Sequence, residues 1–446
     1  MKLALPRSAD PLRRRRAELG MLTLGLIITG GAYTLVSLGR TADLPANLRP
    51  FLGVIAGLLL VAHCANRWLT PFADPVLLPI AGLLNGIGYV VITRLDPILA
   101  NRQAAWTAVA IMAYVMTLIV LRNPRTLRLR YVFGLIGLGL LLLPLVPGIG
   151  REINGSRIWV GVGPVSFQPG ELAKVALAVF FASYLVDNRE LIAGTANRSL
   201  FGLAVPDLRH IGPLVGAWAV SLLVMFYQKD LGSSLLFFTL FIVMVWLATG
   251  RRFYLFTGAV MFVVGAYASW GAFSHVQRRV RIWRNPWPEA QDAGFQIVQS
   301  LYAFGAGGVG GTGLALGSPT RIPYAATDFI FAAIGEEFGF AGTSAVLLAF
   351  TLFIGSGIRI ARRAQRPFDQ LLAAGLTTII GVQTFIIIGG VTKLVPLTGV
   401  TLPFVSYGGS SLVINYVIVA ILVRLSHASA APQPIADEEI LAGVGA

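Results

Sequence analysis

The sequence is poor in charge, cysteine and histidine. Of its 446 residues only 12% are charged and 56% are hydrophobic, whereas a soluble domain carries about 25% charged residues. The single cysteine excludes a disulfide framework and a thiolate metal site. The four histidines are scattered along the chain, and no pair has the spacing of metal ligands. This composition is typical of a protein embedded in a lipid bilayer.

Acidic residues are also scarce. Twenty Asp and Glu stand against 35 Lys and Arg, which gives a net charge of +15. In a soluble protein this excess would suggest a nucleic-acid partner. In a membrane protein it is explained by positively charged loops on the cytoplasmic face. We therefore expect no nucleic-acid partner.

Long apolar runs dominate the chain, and a membrane-spanning helix needs about 20 mostly apolar residues. Strands are excluded as spanning elements, because the runs are too long and unbroken for a barrel and open sheet edges do not occur in lipid. The sequence predicts an all-α polytopic membrane protein with about 12 transmembrane helices and a long loop, residues 274–338, between the ninth and the tenth. The predicted spans are 21–38, 49–66, 76–93, 104–121, 131–149, 171–186, 211–227, 231–248, 253–273, 339–358, 370–391 and 408–425.

The distribution of Lys and Arg predicts the orientation. With the N-terminus in the cytoplasm, the inner segments carry 21 of the 35 basic residues and the outer segments 13, in agreement with the positive-inside rule. Residues 1–20 are then a basic cytoplasmic tail, residues 21–426 a single transmembrane domain, and residues 427–446 a cytoplasmic C-terminal tail. The protein is expected in the cytoplasmic membrane with both termini inside.

Four outer segments are polar: 155–174, 228–234, 274–338 and 392–411. All four fall on the same side of the membrane in a topology obtained from charge alone. Irregular backbone at membrane depth is tolerated only where it lines a cavity or is buried in protein. Together these segments predict a site on the outer face.

Asp328 is the first candidate for chemistry at that site. It stands just before an apolar helix, so it is either a helix cap, stabilised by the exposed N–H groups, or a general base next to a substrate hydroxyl. The residues alone support both interpretations equally. Glu336 and Glu337 follow about two turns later at the membrane edge, where acidic residues are rare and mostly functional.

Three further charged residues have a structural and a functional interpretation. Glu171 and Lys174 lie three residues apart on a predicted helix, so they can form an ion pair and can also hold a substrate phosphate. Asp230, at the start of a span, is an N-cap or a substrate contact.

The long loop holds two other distinctive runs. Residues 278–284 contain four arginines and either lie on lipid headgroups or bind a phosphorylated lipid, since a guanidinium fits phosphate oxygens in a bidentate manner. The glycine-rich segment 305–313 lacks the Lys-Ser or Lys-Thr ending of a nucleotide-binding loop and follows no strand. We interpret it as a flexible or tightly turning segment.

Five motifs together resemble the SEDS family (shape, elongation, division and sporulation), which includes RodA, FtsW and SpoVE. They are FQPGELAK (167–174), QKDLGS (228–233), FQIVQS (295–300), TDFIFAAIGEEFG (327–339) and LPFVSYGGSS (402–411). Their order and spacing agree with the family over about residues 75–425. The family core has ten spans, so the two additional spans predicted here fall at the N-terminus.

The resemblance implies an enzyme, a peptidoglycan glycosyltransferase that polymerises lipid II on the outer face of the cytoplasmic membrane during cell elongation or division. A class B penicillin-binding protein and other elongation or division complex proteins are the implied partners. The resemblance also implies that Asp328 is catalytic. The candidate substrate-binding residues, from the motifs and from the charged segments, are Trp159, Gln168, Glu171, Lys174, Asp230, Arg278, Arg279, Arg281, Glu336, Lys393, Ser406 and Tyr407.

The sequence identifies no definite cofactor. The sequence shows no dedicated metal site, so a divalent cation, Mg²⁺ or Mn²⁺, would be shared with the pyrophosphate of the substrate.

The sequence departs from the family pattern at several positions. Ile158 replaces the basic residue that usually precedes the tryptophan, and Gly170 replaces a serine. Thr398 stands where division-type members often carry a lysine, which favours the elongation type. Residues 289–296 differ from the usual family segment, so little weight falls on their two carboxylates.

Two alternatives from other functional classes stay open. A transporter that moves lipid II across the membrane would also have many spans with charges at their ends, and a non-catalytic scaffold would dock a penicillin-binding protein. Polar residues that concentrate on one face favour the enzyme. The sequence does not distinguish elongation, division and sporulation.

Overall fold

The computed structural model describes residues 10–45, 48–122, 129–153, 156–162, 165–193, 199–200, 203–204 and 208–431. The α-helices are α1 (Pro11–Thr41), α2 (Leu48–Leu69), α3 (Leu77–Leu95), α4 (Pro97–Val120), α5 (Arg130–Leu142), α6 (Pro169–Asp187), α7 (Arg189–Ala193), α8 (Leu208–Tyr227), α9 (Leu231–Thr249), α10 (Arg252–Ala272), α11 (Ser274–Arg284), α12 (Phe295–Gly307), α13 (Ile330–Arg363), α14 (Pro367–Val391) and α15 (Gly409–Ala430). Short 3₁₀ turns lie at Leu143–Leu145, Trp287–Glu289 and Pro319–Arg321.

Each predicted span falls on a helix, and the predicted all-α polytopic membrane fold is confirmed. Among the described residues, ten helices are long and apolar enough to cross a membrane. The predicted spans 131–149 and 211–227 coincide with shorter apolar helices, so the count of twelve stays a prediction.

A small antiparallel sheet precedes α6, and the sequence pattern did not predict it. Its strands β1 (Gly150–Ile153), β2 (Ser156–Val162) and β3 (Val165–Phe167) pair in the order β1-β2-β3. Two short strands, β4 (Ser199–Leu200) and β5 (Leu203–Ala204), form a second sheet. Both sheets lie between spanning helices, where strands do not conflict with the constraints of the bilayer.

The N-terminal helices are joined to the rest of the bundle by a buried polar network. Glu18 on α1 is fully buried and contacts Arg15, His63 Nδ1 at 2.8 Å and Asn66 Nδ2 at 3.2 Å. Asn66 on α2 accepts a hydrogen bond of 2.6 Å from the Tyr114 hydroxyl on α4. Because the network satisfies polar groups that have no water nearby, it holds α1 and α2 against the core.

Helices extend into both predicted tails, whose cytoplasmic location stays a prediction. Helix α1 starts at Pro11, with Asp10 as its N-cap, so Arg13–Arg16 lie in its first turns. Helix α15 continues to Ala430. Most of the predicted C-terminal tail, residues 432–446, lies outside the described residues.

Helix α13 is broken at Gly339, whose φ of 65° and ψ of −163° are not helical. In an unbroken helix the carbonyls of Glu336 and Glu337 would accept from the backbone N–H groups of Phe340 and Ala341. Here the glycine-rich segment replaces both partners. The replacement bonds are Thr312 N to Glu336 O (2.9 Å), Gly313 N to Glu337 O (3.1 Å), Phe340 N to Gly308 O (2.9 Å) and Ala341 N to Val309 O (3.2 Å).

The glycine-rich segment is therefore an ordered part of the helix break. Its backbone approaches α13 so closely that a Cβ at Gly311 would lie 2.2 Å from the Glu337 carbonyl oxygen. The sequence left open whether the segment is flexible or tightly turning, and the structure shows that it supplies the missing hydrogen bonds of α13.

Replacement of Gly339 by alanine is expected to destabilise the fold. The new Cβ would lie 2.3 Å from the Gly311 nitrogen at a positive φ, so we expect a loss of at least about 2 kcal/mol. Thermal unfolding of the purified protein in detergent measures the effect. Gly31→Ala is the matched control, because a Cβ at this position meets nothing within 4 Å. Equal unfolding temperatures for the two variants would contradict the role of the break.

Candidate active site

The end of the bundle where α13 begins holds a cavity of about 460 Å³. It lies between α11, α12, the segment before α13 and the segment that follows α14. Its polar lining residues are His275, Arg278, Arg279, Trp283, Gln296, Tyr324, Asp328 and Lys393. Four of the residues predicted from the sequence, Arg278, Arg279, Asp328 and Lys393, are therefore brought together here.

Asp328 lies in this cavity and does not cap α13. The helix begins at Ile330, and the residue at the cap position, Phe329, makes no side-chain capping hydrogen bond. Gly399 passes directly over the carboxylate with a φ of 75°, and a Cβ added to it would lie 3.7 Å from Asp328 Oδ2. A side chain at this position would stand against the carboxylate, so glycine keeps the space open.

The environment of Asp328 makes it a better base than an ordinary aspartate. Burial raises the pKa of its carboxyl from 3.8 to about 6, although the Thr327 hydroxyl and the Arg279 guanidinium both lower it. A catalytic base is most effective when its pKa lies close to the working pH. Asp328 is therefore largely ionised at neutral pH and still able to take up a proton.

Ser406 and Tyr407 hold the chain just before Asp328. The Ser406 hydroxyl is buried, donates to the Thr327 carbonyl and accepts from the Leu402 N–H at 2.9 Å. The Tyr407 N–H donates to the Ala326 carbonyl at 2.8 Å. These bonds join segments about 80 positions apart and fix the backbone on which the Asp328 side chain stands.

Arg279 organises the opposite wall of the cavity. Its Nη1 donates to the carbonyls of Leu397 and Thr398, each at 3.0 Å, so α11 is tied to the segment that carries Gly399. The guanidinium also interacts electrostatically with both Asp230 and Asp328. Nearby, Trp283 Nε1 donates to the Lys393 carbonyl at 3.1 Å, which adds a second bond between α11 and this segment.

Comparison with known proteins decides what kind of protein carries this cavity. The cell cycle protein family FtsW/RodA/SpoVE matches residues 77–431. The chain belongs to this family.

Individual relatives agree with this assignment. The chain is 42% identical over 431 residues to peptidoglycan glycosyltransferase RodA of Mycobacterium tuberculosis, an alignment that covers 94% of this chain and 92% of the relative. It is 38% identical over 295 residues to stage V sporulation protein E of Bacillus subtilis, with 65% of this chain and 76% of the relative covered. The family match begins after α2, but an alignment over 94% of the chain extends into the two N-terminal helices.

Solved structures show the same fold. A peptidoglycan synthase complex that coordinates polymerization and crosslinking contains a chain with 26% identity and a TM-score of 0.66, covering 81% of this chain and 99% of that one. The rod shape determining protein RodA of Thermus thermophilus has 25% identity and a TM-score of 0.55, covering 82% of this chain and 100% of that one.

The predicted ion pair between Glu171 and Lys174 is present and buried. Lys174 Nζ lies 2.8 Å from Glu171 Oε2 and donates to Gln383 Oε1 at 2.9 Å. The Gln383 amide in turn donates to the Thr401 carbonyl at 2.8 Å. The pair therefore links α6 through α14 to the segment that lines the cavity, and neither of its residues is among the residues lining the cavity.

Asp230 is the N-cap of α9. It accepts from the Ser233 N–H at 3.0 Å and from the Ser233 hydroxyl at 2.6 Å. Burial raises the pKa of its carboxyl, and the Ser233 bonds oppose the change. Asp230 does not line the cavity, but it interacts electrostatically with Arg279, which does.

Four other predicted residues lie away from the Asp328 cavity. Glu336 is buried and accepts from the Ser318 N–H at 2.6 Å. Arg281 is exposed and pairs with Glu289 at 2.7 Å. Trp159 stands on β2 opposite Arg151. Gln168 is the N-cap residue of α6, and its backbone N–H donates to Ser410 Oγ at 3.1 Å. Their assignment as substrate-binding residues stays a prediction.

Sequence reasoning missed His275, Gln296, Tyr324 and Gly399 as cavity residues. Gln296 belongs to the FQIVQS motif, so a signal was present there. Burial and the neighbouring Arg279 and Lys229 lower the pKa of His275, so this imidazole is neutral at neutral pH.

Within the part of the chain that the structure describes, no group of three or more His, Cys, Asp or Glu residues could hold a metal ion. A divalent cation shared with substrate phosphates stays a prediction.

The Ser406→Ala substitution is expected to slow glycan polymerisation about tenfold or more, because a small displacement of a catalytic group is costly. The effect should fall on kcat with little change in KM, since Ser406 acts through the backbone of Thr327. Ser221→Ala is the matched control, because this buried serine bonds only within its own helix, to the Ala217 carbonyl at 2.7 Å. Comparable kcat losses in both variants would argue against a positioning role.

Proposed function

We propose that this peptidoglycan glycosyltransferase polymerises lipid II in the cavity around Asp328, with Asp328 as the general base. One observation carries the proposal: a carboxylate whose pKa is raised to about 6 lies in a cavity whose lining also contains Arg278, Arg279 and Lys393. A base next to an excess of positive charge suits a reaction in which a hydroxyl attacks and a pyrophosphate leaves.

In this reaction two lipid-linked disaccharides meet in the cavity. Asp328 takes the proton of a sugar hydroxyl on one, and the hydroxyl oxygen attacks the anomeric carbon of the other. The bond from that carbon to the lipid pyrophosphate breaks, and the pyrophosphate leaves with the electron pair, so the configuration at the carbon inverts. A positioned base contributes about 10²–10⁴ to the rate.

The cations of the cavity stabilise the leaving group. Negative charge develops on the pyrophosphate in the transition state, and preorganised donors in a partly dry site stabilise such charge strongly. Arg278 is exposed at the rim, whereas Arg279 is half-buried and held by two carbonyls. We assign the contacts with the substrate phosphates to Arg278 and Lys393. Arg279 instead holds the segment of Leu397 and Thr398 in place and interacts with Asp328.

In the proposed orientation the cavity lies on the outer face of the cytoplasmic membrane, with both termini in the cytoplasm. The excess of basic residues in the segments on the opposite side supports this orientation. A class B penicillin-binding protein is the proposed partner. The similarity to a chain from a synthase complex that coordinates polymerization and crosslinking supports it, and the 42% identity to RodA proteins favours elongation over division.

The Asp328→Asn variant should fold and insert in the membrane yet form no glycan polymer from purified lipid II, because the amide cannot accept the hydroxyl proton. Asp292→Asn is the matched control, since Asp292 lies exposed in the same loop, and this variant should retain full activity. Polymer formation by Asp328→Asn would refute the base assignment.

Lipid II supplied only to the outer face of proteoliposomes separates the alternative functions, because an enzyme consumes it there while a transporter or a scaffold does not.

The rate of polymerisation should rise with pH between about 5 and 7. Asp328 acts in its ionised form, and with a pKa of about 6 roughly a tenth of the enzyme is active at pH 5 and about nine-tenths at pH 7. Arg279 favours the ionised form, so Arg279→Gln should move the midpoint to higher pH. The measurement is kcat/KM against pH for both proteins. A flat profile across this range, or a midpoint near 4, would contradict the assignment.

A further inference from the structure

A second charged cavity lies at the other end of α13. It has a volume of about 440 Å³ and is lined by Gly355, Ile358, Arg359, Arg362 and Arg363. The 34 residues of α13 extend about 50 Å at 1.5 Å per residue, reduced somewhat by the break. The arginine cavity therefore lies on the face of the protein opposite to Asp328.

Positive charge exceeds negative charge in this cavity. Arg359 lies 3.7 Å from Asp74, whereas neither Arg362 nor Arg363 forms an ion pair with any carboxylate that the structure describes. Arg14 on α1 adds a further cation, because it interacts electrostatically with both Asp74 and Arg363. Several guanidinium groups thus share one carboxylate, and together they favour an anion.

An apolar stripe on α13 leads into the cavity. Leu348, Leu352, Gly355, Arg359 and Arg362 follow one another at spacings of four, three, four and three residues, so they lie on one face of the helix. Leu348 and Leu352 are 59% and 53% exposed. At Gly355 a Cβ would meet nothing within 4 Å, which leaves a groove between the leucines and the arginines.

The length of the stripe matches one leaflet of a bilayer. From Leu348 to Arg359 the helix rises about 16 Å, and the hydrocarbon core of a bilayer is about 30 Å thick. An acyl chain that lies along the leucines and crosses Gly355 would therefore bring its headgroup to the arginines. A free phosphate ion would use the arginines but not the stripe.

A neighbouring cavity on the same face lacks this excess of positive charge. Its lining includes Arg366 and Arg424 together with Asp187 and Asp369, so its charges balance. Arg424 also donates to the carbonyls of Leu121, Leu69 and Arg122. The excess of positive charge is thus a property of the cavity on α13 and not of every cavity on this face.

We propose that the α13 cavity binds the headgroup of an anionic phospholipid from the cytoplasmic leaflet, with one acyl chain along Leu348 and Leu352. Guanidinium groups hold phosphate oxygens in a bidentate manner, and arginines clustered at the cytoplasmic end of a spanning helix attract anionic lipid headgroups. Because Arg362 and Arg363 both lack a described carboxylate partner, a headgroup with two phosphates fits best. The assignment to the cytoplasmic leaflet rests on the proposed orientation, but the binding itself does not depend on the proposed reaction.

The test is native mass spectrometry of the purified full chain in detergent, titrated with diphosphatidylglycerol, phosphatidylglycerol or phosphatidylcholine. The wild type should prefer the lipids in that order. The double variant Arg362→Gln/Arg363→Gln should bind diphosphatidylglycerol about 10- to 30-fold more weakly. The matched control Arg366→Gln, on the same face, should bind it as the wild type does. Equal affinities of the wild type and the double variant would overturn the proposal.

A second variant separates a lipid from a free anion. Gly355→Leu fills the groove and leaves the arginines in place, so it should weaken diphosphatidylglycerol binding several-fold. Inorganic phosphate alone should leave the thermal stability of the protein unchanged. Stabilisation by phosphate that equals stabilisation by the lipid, together with unaltered lipid binding by Gly355→Leu, would show a free-anion site and overturn the lipid assignment. Asp328→Asn should bind the lipid normally, so this outcome is independent of the catalytic assignment.

Discussion

The hydrogen bonds between residues 402–407 and residues 326–327 are the constraint on which the cavity depends. Both segments are irregular and lie among membrane-spanning helices, where backbone groups find little water and must bond to the protein. Ser406 and Tyr407 supply partners to the carbonyls just before Asp328. The same contacts therefore satisfy the backbone and fix the position of the carboxylate. A change in these bonds should therefore alter both the stability of the fold and the position of Asp328.

The charged residues around the cavity differ in how firmly the protein holds them. Arg279 interacts with Asp230 and Asp328 and is tied to two carbonyls, which makes it a fixed part of the wall. Arg278 is more exposed and also lines the cavity. Burial raises the pKa of Asp328 to about 6, while the Thr327 hydroxyl and the Arg279 guanidinium oppose the rise. The pKa of this carboxyl is therefore set by its burial and by two neighbouring donors.

Much of the fold and part of the site could be predicted from the sequence. Long apolar runs carry a strong signal for spanning helices, and Asp328, Arg279 and Lys393 were named from the sequence and line one cavity. The sheet that carries Trp159 could not be predicted, since its strands are at most seven residues long and show no clear alternation. Only the start of α13 at Ile330 shows that Asp328 is not its cap, and its role as a base stays a proposal. The bonds of residues 406–407 are long-range contacts that local patterns do not encode.

The buried network at Glu18 changes what counts as the folding unit of this protein. The family match begins at residue 77, yet the Tyr114 hydroxyl, well inside the matched region, is bonded to Asn66 on α2, and Arg15 on α1 bonds to the Ala73 carbonyl. Removal of α1 and α2 would leave these groups without partners in an apolar environment, at a cost of several kcal/mol. The N-terminal limit of the family match is thus not a limit of the packed structure, because α2 is hydrogen-bonded to α4 inside the match.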